Sequence, residues 1–121
     1  MSNLAGTFKS VLSTVNYQLD GGEVQFSEIL VGATQSSYVI QCDVACTGET
    51  GVQVSIKIRR PASSTSVYLV KKAPVPQGST IQVIDGQKLV LQEGDVLEIA
   101  CETEGQSVDA VVSYVDHVNL D

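Results

Sequence analysis

Short β-branched runs separated by turn residues fill positions 80–114, and this stretch constrains the fold more than any other. Thr80-Ile81-Gln82-Val83-Ile84 leads into Asp85-Gly86, and Lys88-Leu89-Val90-Leu91 follows. A second turn at Gln92-Glu93-Gly94-Asp95 precedes Val96-Leu97-Glu98-Ile99-Ala100-Cys101, and a last run covers 108–114. Each run is too short and too β-branched for a helix, so the spacing predicts two strand hairpins in succession. Asp-Gly suits a tight primed turn because both residues tolerate positive φ.

The same period of two runs through most of the chain. Val11, Val15, Tyr17 and Leu19 share one face of an expected first strand, with Ser13 interrupting, and Thr14, Asn16 and Gln18 share the other. Gly21-Gly22 turns the chain into a second strand that starts at Val24 and runs to about Val31. In the third, over 37–45, Tyr38, Ile40, Cys42 and Val44 alternate with Ser37, Gln41 and Asp43. The fourth is the cleanest: Val52, Val54, Ile56 and Ile58 face in, while Gln53, Ser55, Lys57 and Arg59 face out, the mark of an antiparallel sheet with one wet face. A Ser-rich loop follows, then a fifth strand over 67–70. Pro74-Val75-Pro76 cannot occupy a central strand and marks an edge or a crossing.

About eight strands with regular turn signals point to an all-β fold, a single antiparallel β-sandwich of Greek-key or jelly-roll type. The expected core is Val54, Ile56, Ile58, Ile81, Val83, Leu89, Leu91, Leu97, Ile99 and Val112. With 121 residues the chain suffices for one domain, divided here into an N-terminal arm over 1–10 and a sandwich over 11–121. Trp is absent and aromatic residues make up 5%, so the core rests on Val, Ile and Leu and there are few platforms for sugars.

Cys42 and Cys101 fall at apolar strand positions and read as small buried hydrophobes, with a Cys42–Cys46 disulfide as the alternative. The single histidine, His117, has no companion at zinc-ligand spacing and no nucleophile-elbow pattern to serve, so neither a catalytic residue nor a metal or other cofactor is assigned. Glu102, Glu104 and Asp109 could offer oxygen ligands to calcium, against the plainer reading of a solvated acidic turn. Glu93-Gly94-Asp95 reads as a turn whose aspartate caps local N–H groups.

The net charge of −7 argues against nucleic acid as a partner. No apolar run has the length of a membrane span and no signal-peptide pattern opens the chain, so the expected setting is the cytosol or a particle assembled there. Charge is unevenly distributed: Lys57, Arg59, Arg60, Lys71 and Lys72 are five of the seven basic residues, and nine acidic residues lie from Asp85 onward. Such a split suits electrostatic matching between subunits.

An ordered series of elements carries a resemblance to a family. It comprises Val67-Tyr68-Leu69-Val70, Val75-Pro76-Gln77-Gly78-Ser79, Ile81-Gln82-Val83-Ile84-Asp85-Gly86, Leu89-Val90-Leu91-Gln92-Glu93-Gly94-Asp95-Val96-Leu97 and Val111-Val112-Ser113-Tyr114. In this series the chain resembles the small β-sandwich virion structural proteins of tailed bacteriophages. It departs from them at Gly21-Gly22-Glu23, where similar proteins often carry a Tyr-x-x-Pro approach. The resemblance implies a non-enzymatic accessory subunit located in the virion, a capsid decoration or a neck- or tail-associated protein. Its partners would be other virion proteins and further copies of itself, with neither nucleic acid nor membrane. The expected assembly interface is Leu4, Phe8, Val11, Lys57, Arg59 and Arg60. A ligand-binding module for a host-surface glycan or calcium is the alternative, and a concave polar site around Tyr38, Tyr68 or Tyr114 would favour it.

Overall fold

The computed structural model describes residues 7–31, 37–92 and 94–116. Ten strands are found among them: β1 Thr7–Asn16, β2 Leu19–Asp20, β3 Glu23–Val24, β4 Ser27–Val31, β5 Ser37–Ala45, β6 Val52–Arg60, β7 Thr65–Val75, β8 Thr80–Leu91, β9 Val96–Cys101 and β10 Ser107–Asp116. They form two four-stranded sheets, β1-β10-β5-β8 and β4-β9-β6-β7, and the small β2-β3 hairpin. Every pairing is antiparallel.

Leaving the β2-β3 hairpin aside, first pairs with last (β1 with β10), second with seventh (β4 with β9), third with sixth (β5 with β8) and fourth with fifth (β6 with β7). This nested pairing is the jelly roll, one of the two topologies that the sequence pattern suggested. The inward rows of the two sheets make the core. From the expected set Val54, Ile56, Leu91, Leu97, Ile99 and Val112 are buried, and Ile58, Ile81, Val83 and Leu89 pack against them partly covered. Val15, Val39, Val44, Val75 and Val108 complete it.

Two expected hairpins are absent. Residues 80–91 form one strand, not two, and Asp85-Gly86 sits inside it. Val39 lies opposite Leu89 and Gln41 opposite Asp85, so β8 carries extra residues here against β5, a bulge rather than a reversal. The turn at 92–95 does reverse the chain, but it carries it from one sheet to the other, as does the turn at 102–106. Turn chemistry fixes where a chain bends; it is silent on which strand the next one joins.

Smaller shifts follow from the same cause. β1 begins at Thr7, so residues 7–10 of the expected arm belong to the strand, opposite residues 113–116. It ends at Asn16, and Leu19 lies exposed in the β2-β3 hairpin, closed by Gly21 and Gly22 at φ 62° and 85°. The expected second strand is broken at Gln25-Phe26. In β5 the register shift moves the core position from the expected Ile40 phase to Val39, which is fully buried. Pro74 sits in β7, an edge strand, as its missing N–H requires.

Candidate assembly surfaces

The outward row of β6 sets the chemistry of one sheet. Lys57 stands opposite Glu98 and Arg59 opposite Val96 of β9. Arg59 Nη2 donates to Glu28 Oε2 at 2.7 Å and Nε to Glu98 Oε1 at 3.1 Å, so one guanidinium ties β6 to both β9 and β4. Lys57 Nζ lies 4.2 Å from the Phe26 ring centroid and 5.9 Å from that of Tyr68, and Lys71 Nζ lies 5.3 Å from Tyr68. The two rings meet edge to face at 6.2 Å. Ser55, wholly buried on this outward row, donates to Glu102 Oε2 and accepts the Lys72 N–H at 2.9 Å. Lys72 adopts φ 52° to make that bond, and β7 is bulged on either side of Val70.

Arg60 ends β6, just before the Pro61–Ser63 turn, and holds Asp95 with two bonds of 2.8 Å, Nε to Oδ1 and Nη2 to Oδ2. Asp95 is fully buried, and its Oδ2 also accepts the Gln92 N–H at 2.9 Å, the local cap expected from the sequence. The Arg60 hydrogen bonds hold its carboxyl below the usual carboxylate range, against the upward push of burial. A recess of about 280 Å³ opens beside this pair, with Ile58, Val67, Leu89 and Val90 on its apolar side.

The outer face of the other sheet is different. Leu12 and Val111 are register partners in β1 and β10, 76% and 41% exposed, and form an apolar pair, with Asp43 opposite Val111 on β5 and Asp109 two residues along β10. Beside them Thr14 Oγ1 donates to Asp109 Oδ1 at 2.7 Å, and Gln41 Nε2 donates to Asp43 Oδ2 at 2.7 Å.

Of the expected interface residues, Leu4 lies outside the described residues, and Phe8 is placed by its backbone opposite Val115, its side chain lying outside the description. Val11 is partly buried against the core. Lys57, Arg59 and Arg60 do not form one free basic row, because each already faces rings or carboxylates of the same chain. Leu12 was missed by the sequence reading, although an aliphatic between Ser10 and Thr14 in a polar row was its visible signal.

The remaining chemical candidates disperse. Glu102 accepts from Ser55 and Asp109 from Thr14, and among the described residues no three His, Cys, Asp or Glu side chains converge on a metal-sized site. Cys42, Cys46 and Cys101 are free and buried, so the alternative Cys42–Cys46 disulfide is not formed. Burial, helped by Asp43, pushes the Cys42 thiol up to about 11. Around Tyr68 a recess of about 380 Å³ is lined by Glu23, Val24, Phe26, Lys57 and Glu102. Its aromatic rings already carry the chain's own ammonium groups, which leaves them poorly suited as sugar platforms. Tyr114 packs against the core, and the Tyr38 side chain lies outside the description, as does His117.

No protein-family model and no curated protein sequence matches the chain. Solved structures do. A chain from the structure of infectious bursal disease virus, Gx strain, is similar with a TM-score of 0.52 at 13% identity, over 93% of this chain and 33% of that one. The Gt strain structure gives 0.50 at 12% identity, over 93% and 32%. A chain of the extra small virus VLP of the giant freshwater prawn Macrobrachium rosenbergii reaches only 0.39 at 9% identity, over 98% and 84%, and is too distant to weigh. The chain thus spans about a third of the length of the bursal disease virus chains, and what it shares with them is the fold.

Proposed function

We propose that this protein is a non-enzymatic structural subunit of a virion, present in multiple copies. The observation that carries the reading is the nested strand pairing, a jelly roll matching part of a chain in solved virus structures. In its finer form the proposal follows the motif series of the sequence: an accessory subunit of a tailed bacteriophage, decorating the capsid or attached at neck or tail, assembled in the host cytoplasm. The segment ahead of Thr7, with Leu4, would add an apolar contact to a neighbouring virion protein, and the net charge of −7 keeps the subunit off nucleic acid.

The test is the content of purified particles. Mass spectrometry should find this protein at a copy number well above one per particle, and removing residues 1–6 should lower its occupancy while the circular dichroism spectrum stays that of a β protein. Absence from particles, together with a solution species that binds none of their proteins, would overturn the reading.

A further inference from the structure

Four edge strands bound the two sheets, and three of them are blunted. β7 carries Pro74, two lysines, the positive φ of Lys72 and two register shifts. β8 is interrupted by two shifts against β5. β4 has five residues and a shift at Glu28–Leu30. These are the devices by which sheets avoid joining one another. β1 carries one of them, Lys9 near its start, but it pairs with β10 over ten consecutive positions without a shift and contains neither Pro nor Gly. The β2-β3 hairpin that follows it does not cover its edge, since Glu23 and Val24 line the recess on the other sheet with Lys57 and Tyr68.

Resting on the virion reading above, we infer that β1 is the site where a second copy of this chain joins, β1 against β1 in antiparallel fashion about a two-fold axis, extending the β1-β10-β5-β8 sheet across both subunits. A two-fold axis opposes identical surfaces, so the strand must complement itself. The outward positions Ser10, Leu12 and Thr14 do so when the pairing is centred on Leu12, and Asn16 then stands opposite position 8. Leu12 then meets its own copy, with the two Val111 side chains flanking, and Ser10 stands opposite Thr14. Centring on Thr14 instead would set Leu12 opposite Asn16, an aliphatic side chain against an amide, and lose the apolar pair. The pairing places the most exposed large aliphatic of the described chain, Leu12 at 76%, at the centre of the joint.

Two variants of the full chain test this. Light scattering across a concentration series should show a dimer or larger species, and Leu12→Lys should raise its dissociation constant about tenfold or more, while the melting temperature measured in dilute solution, where both proteins are monomeric, holds because the side chain is exposed. Leu12→Cys with oxidised glutathione should give a disulfide-linked dimer, because directly opposed strand residues have Cα atoms about 4.5–5.5 Å apart, within disulfide reach. The native cysteines are buried, and Val67→Cys on the β7 edge serves as the control that should not link. A parent that is monomeric at every concentration, or a Leu12→Cys that links no better than Val67→Cys, overturns the pairing. If such a protein is nonetheless abundant in particles, the virion reading stands and only the β1 edge is wrong. Loss of particle loading by Leu12→Lys without any self-linking also overturns it, in favour of a strand from another virion protein.

Discussion

The two sheets of this sandwich share one core but treat their outer faces in opposite ways. On β4-β9-β6-β7 the outward side chains are tied to one another: Arg59 to Glu28 and Glu98, Ser55 to Glu102, Lys57 to Phe26 and Tyr68. So closely do they cover the sheet that every residue of β9, outward ones included, is buried. On β1-β10-β5-β8 the outer face keeps an exposed apolar pair, Leu12 and Val111, beside an edge strand that among the described residues has no bulge, Pro or Gly. Several of the clustered basic residues are engaged within the chain on the β4-β9-β6-β7 face, Lys57 with rings and Arg59 with carboxylates, although Tyr68, Lys71 and Lys72 stay exposed on β7.

Substitutions on either side can break this contrast. The largest effect should come from β9, where Leu97→Ala removes a fully buried side chain and should cost about 2–5 kcal/mol in denaturant unfolding. A loss under about 1 kcal/mol would mean that β9 is less enclosed than its burial indicates.

Next in size is Asp95→Asn. It loses the charge-assisted bonds that join the end of β6 to the 92–95 turn, a destabilisation of about 1.5–3 kcal/mol near neutral pH. The folded carboxyl titrates below its unfolded value of about 3.9, so its contribution is complete above that value and falls as pH drops through the lower, folded one. The gap between parent and variant should therefore close in acid melts; a gap that persists there would assign the loss to packing rather than charge.

The smallest effect belongs to Glu28→Ala. Its carboxylate is 52% exposed, so despite a 2.7 Å contact with Arg59 the expected loss is about 0–1 kcal/mol and should shrink further in high salt. A larger, salt-resistant loss would show that the outer network acts as one cooperative unit.

Much of this architecture was legible in the residues. Strict alternation in β6 placed its inward and outward rows correctly, because an antiparallel strand with one wet face must alternate. Strand β9 was legible as a strand but not as one buried on both faces, since the contact that Arg59 of β6 makes with Glu98 joins residues distant in sequence. Pairing was the least visible property. Asp85-Gly86 carries hairpin chemistry and is used for a bulge, and the 92–95 turn joins two sheets, because the partner of each strand is fixed by distant segments. Site chemistry suffered likewise: nothing local to Arg60 reveals that Asp95, across a crossover, will take its charge.

The nested wiring also has a consequence for the growing chain. β10 lies between β1 and β5, yet it is made after both. During synthesis, at roughly 5–20 residues per second, the sheet therefore waits for seconds with a vacant slot at its centre. Within the two main sheets only β6 and β7 are joined as a hairpin, and the remaining pairs depend on distant strands, a topology that folds slowly. Until Val108, Ala110 and Val112 arrive, the slot is open to the same strand from a neighbouring nascent copy.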